Sequence, residues 1–402
     1  MIERYPPPVA TNRASRTRRG LRPFTQEHHD FRRLVREFGE NEINPRVPEW
    51  ERQEWIPLHE VLADMAKLGL LGLEYDPVYG GQGADHLFTL ILAEELGRAD
   101  HGSIGMAVGV VTDMATPSLH RYGSHELKER YLAPVLRGEQ VCSIAVTEPD
   151  AGSDVASIRT RAVRDGDEWV ISGSKMYITN SLQADWLCVL ARTSDEGGYA
   201  GMSQIIVPTD TPGFTVSRQL DKLGMRASDT GLLEFDEVRV PVSNTIGAVG
   251  RGFQQQMSQF VIERMWAAYS TAAACQRALE RTRDYLRERI VFGKPLLDHQ
   301  YVQFKLAELA AEVDVLRQYN LAVAERHDAG EDVTRMATIA KLKAGRLHRE
   351  VADWVLQFHG GIGYMEETWT SRFLRDGRLT SIGAGADEVM LQVLARIDGY
   401  TA

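Results

Sequence analysis

The chain has 402 residues, 43% hydrophobic and 25% charged, with a formal net charge of -10 and a pI near 5.6. That length provides for two or three domains and a sizeable core, and the acidic balance excludes a global basic field for nucleic acid or an anionic membrane. Three scattered cysteines, Cys142, Cys188 and Cys275, form no C-x-x-C pair; they argue against a disulfide framework or a zinc site and fit a reducing cytoplasm.

The first stretch carries Arg4, Arg13, Arg16, Arg18, Arg19 and Arg22 against Glu3 alone. Pro6-Pro7-Pro8 breaks any amphipathic helix and no apolar secretory core is present, so residues 1–23 read as a flexible tail on a cytoplasmic protein. The most apolar run, Ile104 to Leu119, is interrupted by Asp113 and Pro117 and is too short to insert in a membrane.

Residues 24–139 read as a helical domain. Phe31, Leu34, Val35 and Phe38 recur on one face, as do Leu58, Val61, Leu62, Met65 and Leu68. The glycine-rich loop Asp76 to Gly83 ends that pair. Helices follow at 86–98, 103–116 and 124–137, the last opened by Ser124 as N-cap. His28-His29, on a charged face, reads as solvated, and the 11 histidines show no metal-ligand spacing.

Across 140–245 the period falls from 3.6 to 2. Trp169–Gly173, Trp186–Leu190, Ser203–Val207 and Leu232–Val240 read as strands, with Asp165-Gly166-Asp167 as a hairpin turn. A closed or nearly closed antiparallel sheet is the economical arrangement. From 246 to 402 long helical segments return, at 252–291, 298–328, 332–359 and 386–397. Their length requires antiparallel packing as a bundle. The fold class is therefore mainly α with a central antiparallel β domain.

The run Cys142 to Asp154, CSIAVTEPDAGSD, is the richest in chemistry. An apolar strand breaks into hydroxyls and a glycine, leaving backbone N–H groups and side-chain OH groups to meet a polar cofactor. An ordinary strand exit would explain the same letters.

The order of helices, small sheet and helical bundle, joined to TEPDAGSD, resembles the acyl-CoA dehydrogenase family from about Phe24 onward. HGSIGMAVGV, TDMATP, SDVASI and TSIGAGADEVML look closest to members acting on branched terpenoid acyl-CoAs of the citronellyl-CoA type. The resemblance implies FAD, with Val146 and Thr147 against the flavin ring, Gly152 at the cofactor, and Ser153 serving its phosphate side and the CoA arm. Lys175 to Asn180 matches a segment in which an aromatic covers the ring; Tyr177 stands where Trp is usual, with Ile178 and Thr179 beside it. Arg287 to Lys294 with His299-Gln300 resembles the stretch that reaches the FAD of a neighbouring subunit, through Arg289, Phe292 and Gln300. Gln357, Gly360 and Gly361 match a second such stretch, although a basic helix end and a helix C-cap explain these letters equally. A homo-oligomer, a dimer of dimers, is implied. So is an electron-transfer flavoprotein as acceptor.

The reaction implied is α,β-dehydrogenation of an acyl thioester, carried by CoA or by an acyl carrier protein. Many members hold the base in Tyr-Glu-Gly-Thr; here the matching residues are Gly383-Ala384-Gly385-Ala386, with no carboxylate. Ala384 still offers its backbone N–H to the thioester oxygen, and Ala386 stands beside the cofactor. Glu263 interrupts the apolar run Phe260 to Trp266 and matches the base position of isovaleryl-CoA and long-chain members, on a different helix. Pairing with an arginine would explain Glu263 on pattern alone. Arg264 matches an arginine beside the site that positions substrate. Val261 replaces an acidic residue and Glu388 a glutamine. Glu366 and Glu367 read as solvated, and Asp150 as a turn residue. Two other readings compete: a flavin oxidase or monooxygenase relative, and a non-catalytic flavin-bearing thioester-binding protein.

Overall fold

Thr25 opens the first helix by accepting the backbone N–H of His28, while the His28 ring accepts the Thr25 N–H at 3.0 Å. This reciprocal cap starts Gln26–Phe38 (α1). The structure is a computed structural model describing residues 24–401; the arginine-rich segment 1–23 lies outside the described residues. Contrary to the reading of a solvated pair, His28 is buried: its Nε2 lies 3.1 Å from Asp85 and its ring packs on Phe88. His29 alone is exposed. A distant helix start supplies the partner, which local spacing does not reveal.

The N-terminal helices continue through Val47–Gln53 (α2), Leu58–Lys67 (α3), His86–Gly97 (α4), Gly102–Gly109 (α5), Pro117–Tyr122 (α6), His125–Leu127 (α7) and Ala133–Leu136 (α8). Asp85 caps α4 through the Leu87 N–H, and Ser124 caps α7 through the Leu127 N–H at 3.2 Å. Two expected helices are interrupted by wider turns, at Val110–Ala115 and Lys128–Leu132. Their apolar faces, with Leu62, Met65, Ile91, Ile104 and Val111, form one core.

Seven strands follow: Cys142–Ala145 (β1), Arg161–Asp165 (β2), Glu168–Thr179 (β3), Trp186–Arg192 (β4), Met202–Pro208 (β5), Phe214–Gln219 (β6) and Thr230–Pro241 (β7). The order is β1-β4-β2-β3-β7-β6, with β5 on β4. Gly166, at φ +62°, turns β2 into β3. The sheet is not antiparallel throughout. β1 runs parallel to β4, and β2 meets β4 through one parallel pair. β1 enters from a helical domain instead of a hairpin, so no turn dictates its direction.

The last region holds Gly252–Glu288 (α9), a short ribbon of Ile290–Val291 (β8) and Lys294–Pro295 (β9), Gln300–Asp328 (α10), Thr334–His359 (α11), Trp369–Gly377 (α12) and Asp387–Ile397 (α13). Arg264 on α9 meets Thr338 on α11, and Tyr285 stacks on His359, so these two helices run in the same direction. α10 returns between them, Asn320 donating to the Ala268 carbonyl at 3.0 Å. At its start α9 lies on the sheet, where Phe253 and Phe260 pack against Val146, Leu190 and Met202. Among the described residues, no helix is long and apolar enough to cross a membrane.

Candidate active site

Beyond β1 the chain is held by Glu148. Its carboxylate accepts the backbone N–H groups of Arg159 (2.6 Å) and Thr160 (2.9 Å) and the ammonium of Lys175 (2.9 Å), which also donates to the Val146 carbonyl. Lys175 has no exposed surface, and burial pushes its pKa down to about 8. Burial acts on Glu148 in the opposite sense, but the Lys175 charge and the hydrogen bonds keep its carboxyl below the usual range. Met176 donates its N–H to the Thr147 carbonyl, so the end of β3 lies beside the loop.

Val146, Thr147, Tyr177, Ile178 and Thr179 are thereby brought together. Tyr177 takes φ +63°, a backbone cost for a non-glycine residue, and presents a 62% exposed side chain. The hydroxyls of Thr147 and Thr179 make no hydrogen bond among the described residues. Gly152 and Ser153 are exposed at the outer rim. An open aromatic face flanked by unengaged hydroxyls fits the ring of a flavin.

Glu263 lies one turn after Phe260, on the wall of a cavity of about 130 Å³ between the N-terminal helices and α9, α11 and α12. Among the described residues no cation comes within ion-pair distance of it, so the arginine-pairing alternative does not hold. Burial raises its carboxyl to about 7, with Arg264 and Lys341 opposing the rise. Arg264 turns toward Thr338, at 3.4 Å, and leaves its Nε without a partner. Ala384 shares the cavity with Glu263, adopts φ +54° and donates its N–H to no other described residue. Lys341, fully buried, donates to the carbonyl of Gly385 and holds this turn. Ala386 is half-buried at the N-cap of α13.

The remaining sequence-predicted cofactor residues lie elsewhere. Arg289, Phe292, Gln300, Gln357, Gly360 and Gly361 are all exposed and gather where α9 and α11 end and α10 begins, Phe292 with 95% exposure and φ +51°. From Phe260 to Arg289 the chain advances along α9 by about 44 Å. Within one chain the two groups cannot touch a single flavin.

Glu366 and Glu367 are exposed, Glu366 paired with Arg375, and Asp150 is exposed beside Arg159. Val261 packs partly buried on the N-terminal core, and Glu388 is exposed. Its neighbour Asp387 is buried and accepts from Arg349 at 3.2 Å. Sequence reasoning missed Glu148, Lys175 and Lys341; a lysine inside an apolar alternating or helical run was the available signal. It also missed a partly buried cluster in which ligand atoms of Glu74, His86 and His327 lie within 4.8 Å of one another. There His86 Nδ1 bonds Glu74 at 2.6 Å and Nε2 faces the Tyr269 hydroxyl at 3.3 Å.

Models of the acyl-CoA dehydrogenase N-terminal, middle and C-terminal domains match residues 25–139, 143–238 and 250–397. The mitochondrial isovaleryl-CoA dehydrogenase of Solanum tuberosum is 36% identical over 374 residues, 93% of this chain and 90% of that one. The crystal structure of acyl-CoA dehydrogenase from Geobacillus kaustophilus superposes with a TM-score of 0.90 at 37% identity, covering 94% of this chain and 99% of its own. That of a glutaryl-CoA dehydrogenase from Mycobacterium smegmatis in complex with FADH2 gives 0.89 at 30% identity, covering 94% and 96%.

Proposed function

This chain belongs to the acyl-CoA dehydrogenase family, and from that premise we propose how its residues share the work. It is an FAD-dependent oxidoreductase of acyl-CoA thioesters. Glu263 takes the proton from the α-carbon. The observation that carries this assignment is a carboxyl raised to about 7, free of any ion pair among the described residues, in the same cavity as the unengaged N–H of Ala384. A base with a pKa near the working pH combines an available unprotonated form with enough basicity to accept the proton. The Ala384 N–H is aimed at the thioester oxygen, where negative charge gathers as the proton leaves. Arg264 and Lys341 supply positive charge behind the carboxylate. FAD, when bound, accepts the β-hydrogen as hydride.

Val146, Thr147, Gly152, Ser153, Tyr177, Ile178, Thr179 and Ala386 hold that flavin within the chain, Ser153 also meeting the CoA arm. Arg289, Phe292, Gln300, Gln357, Gly360 and Gly361 reach the flavin of a neighbouring protomer. Their exposure and their distance along α9 support this division, and with it a dimer of dimers. An electron-transfer flavoprotein is the acceptor and the cytoplasm the place of work. Gly383, Ala384 and Gly385 leave space beside the reacting carbons, which favours an acyl chain branched there.

Anaerobic titration of the purified flavoprotein with straight and branched saturated acyl-CoAs, followed by flavin absorbance, tests the reading. Bleaching that disappears in Glu263→Gln is the expected result. Equal bleaching by the variant would remove Glu263 from the reaction.

A further inference from the structure

The cavity continues well past the reacting end. On α9 its wall includes Glu263, Ala267, Ser270, Ala274, Arg277 and Arg281, spaced alternately four and three residues apart on one helix face. Glu263 and Arg277 are therefore separated by about 21 Å along the axis. The near part is apolar, with Met106, Met114 and Trp266 on its walls. Gly105 keeps it open on the opposite side: a Cβ there would approach only the Leu96 carbonyl, at 4.0 Å.

The far part differs in character. His101 and His348 line it, both buried, and both nitrogens of each ring lack a hydrogen-bond partner. His101 Nδ1 stands 3.6 Å from Glu51, too far for a hydrogen bond. His348 has the Phe373 backbone beside it, without a bond of ordinary hydrogen-bond geometry. Arg277 adds an unpartnered Nε. Since α9 and α11 run together from the Arg264–Thr338 contact, His348 stands about 15 Å along the pocket. Burial holds His101 down to about 3 and His348 down to about 4, so both rings are neutral, each with one N–H and one bare nitrogen.

Much of the charge at this end is paired, while Arg372 donates to the Asp100 backbone carbonyl at 3.0 Å and to no carboxylate among the described residues. Asp100 accepts Arg277 at 3.0 Å and Arg281 at 2.9 Å, and Asp376 accepts the N–H groups of Met225 and Gly102. Glu51 stands behind His101. A further carboxylate would enter among these acids, whereas a neutral oxygen meets only waiting donors and acceptors.

We propose that the acyl group this pocket selects carries a neutral oxygen, a hydroxyl or carbonyl, on its distal half, received by His101, His348 and Arg277. The inference rests on the acyl-CoA dehydrogenase reading above and narrows its substrate class to long, oxygen-bearing chains. The near end still tolerates a branch.

Three saturated acyl-CoAs of one long chain length, ending in methyl, hydroxyl or carboxylate, test it through kcat/KM for anaerobic flavin reduction. The hydroxylated chain should exceed the methyl-ended one by about tenfold or more, because an analogue lacking the oxygen strands buried polar groups. In His101→Leu the ratio should fall toward unity or reverse, with flavin content confirming a folded protein. His348→Leu should lower the same ratio and serves if the first variant does not fold. Equal rates, or preference for the methyl end, overturn the proposal; preference for the carboxylate overturns the neutrality argued for the site. Flavin reduction by none of the three would overturn the dehydrogenase reading beneath it, an outcome separate from indifference to the chain end.

Discussion

Lys175 and Glu148 form a buried ion pair, Nζ to Oε1 2.9 Å, that ties the middle of β3 to the loop after β1. The pair is internal scaffolding for the two segments proposed to hold the flavin, since Lys175 also fixes the Val146 carbonyl. Lys175→Met leaves the Glu148 carboxylate without its buried cation, which costs about 3–5 kcal/mol. The expected outcome is a lowered Tm together with weakened flavin retention, measured by thermal unfolding and by the ratio of visible to ultraviolet absorbance.

Glu263→Gln should reduce kcat by about 10²–10⁴ or more while flavin remains bound. Stopped-flow reduction of the flavin reads the effect. In the parent protein kcat/KM should rise about tenfold per pH unit below 7 and level off above it, because the acting form is the carboxylate. An unchanged profile would place the titrating group elsewhere.

The same substitution has a consequence for stability. The folded pKa of Glu263, about 7, lies above the ordinary 4.5, so the folded state binds the extra proton between these values. Stability from this group is fully present below about 4.5 and is lost as pH rises through 7. Glu263→Gln should therefore gain stability relative to the parent as pH goes from 5 to 8, by up to about 3 kcal/mol, seen as a rise in its Tm above the parent's. Parallel melting curves at the two pH values measure it.

Much of this was legible in the residues. Apolar spacing outlined α9, α10 and α11, and Glu263 stood out as a charge inside the run Phe260 to Trp266. Its freedom from an ion pair was not legible, because Arg264 is adjacent in sequence yet turns away to Thr338 on another helix. Lys341 reaches Gly385 only once α11 lies against the turn before α13. His28 illustrates the same limit: its charged neighbours promise solvent, and Asp85 arrives from a distant cap. The direction of β1 depends on how the helical domain delivers the chain, which strand periodicity does not encode.

Ala384→Glu placed in the Glu263→Gln background should recover part of the lost flavin reduction. Both positions line one cavity, so either carboxylate has access to the same region. Ala384 already holds φ +54°, and a glutamate inherits that backbone. Recovery in the double variant, measured under the conditions used for the single one, checks that the two positions serve one reacting carbon.

The Arg289 side chain makes no bond within the described residues, so Arg289→Ala should leave the unfolding of flavin-free protein within about 0.5 kcal/mol. Flavin should nevertheless dissociate more readily on gel filtration. A variant that keeps its flavin as tightly as the parent would count against a role for Arg289 across an interface.

The single-face stripe on α9 makes that helix a ruler graduated in turns. Each residue rotates direction by about 100° and advances about 1.5 Å, so one residue inserted between Glu263 and Arg277 would swing the distal marks off the pocket while leaving the base in place. Changes of three or four residues would keep the marks facing inward and reset the measured length. Lineages that lengthen or shorten their substrate through this helix would have to move in whole turns, whereas a change of taste at a fixed length needs only a new side chain at one graduation.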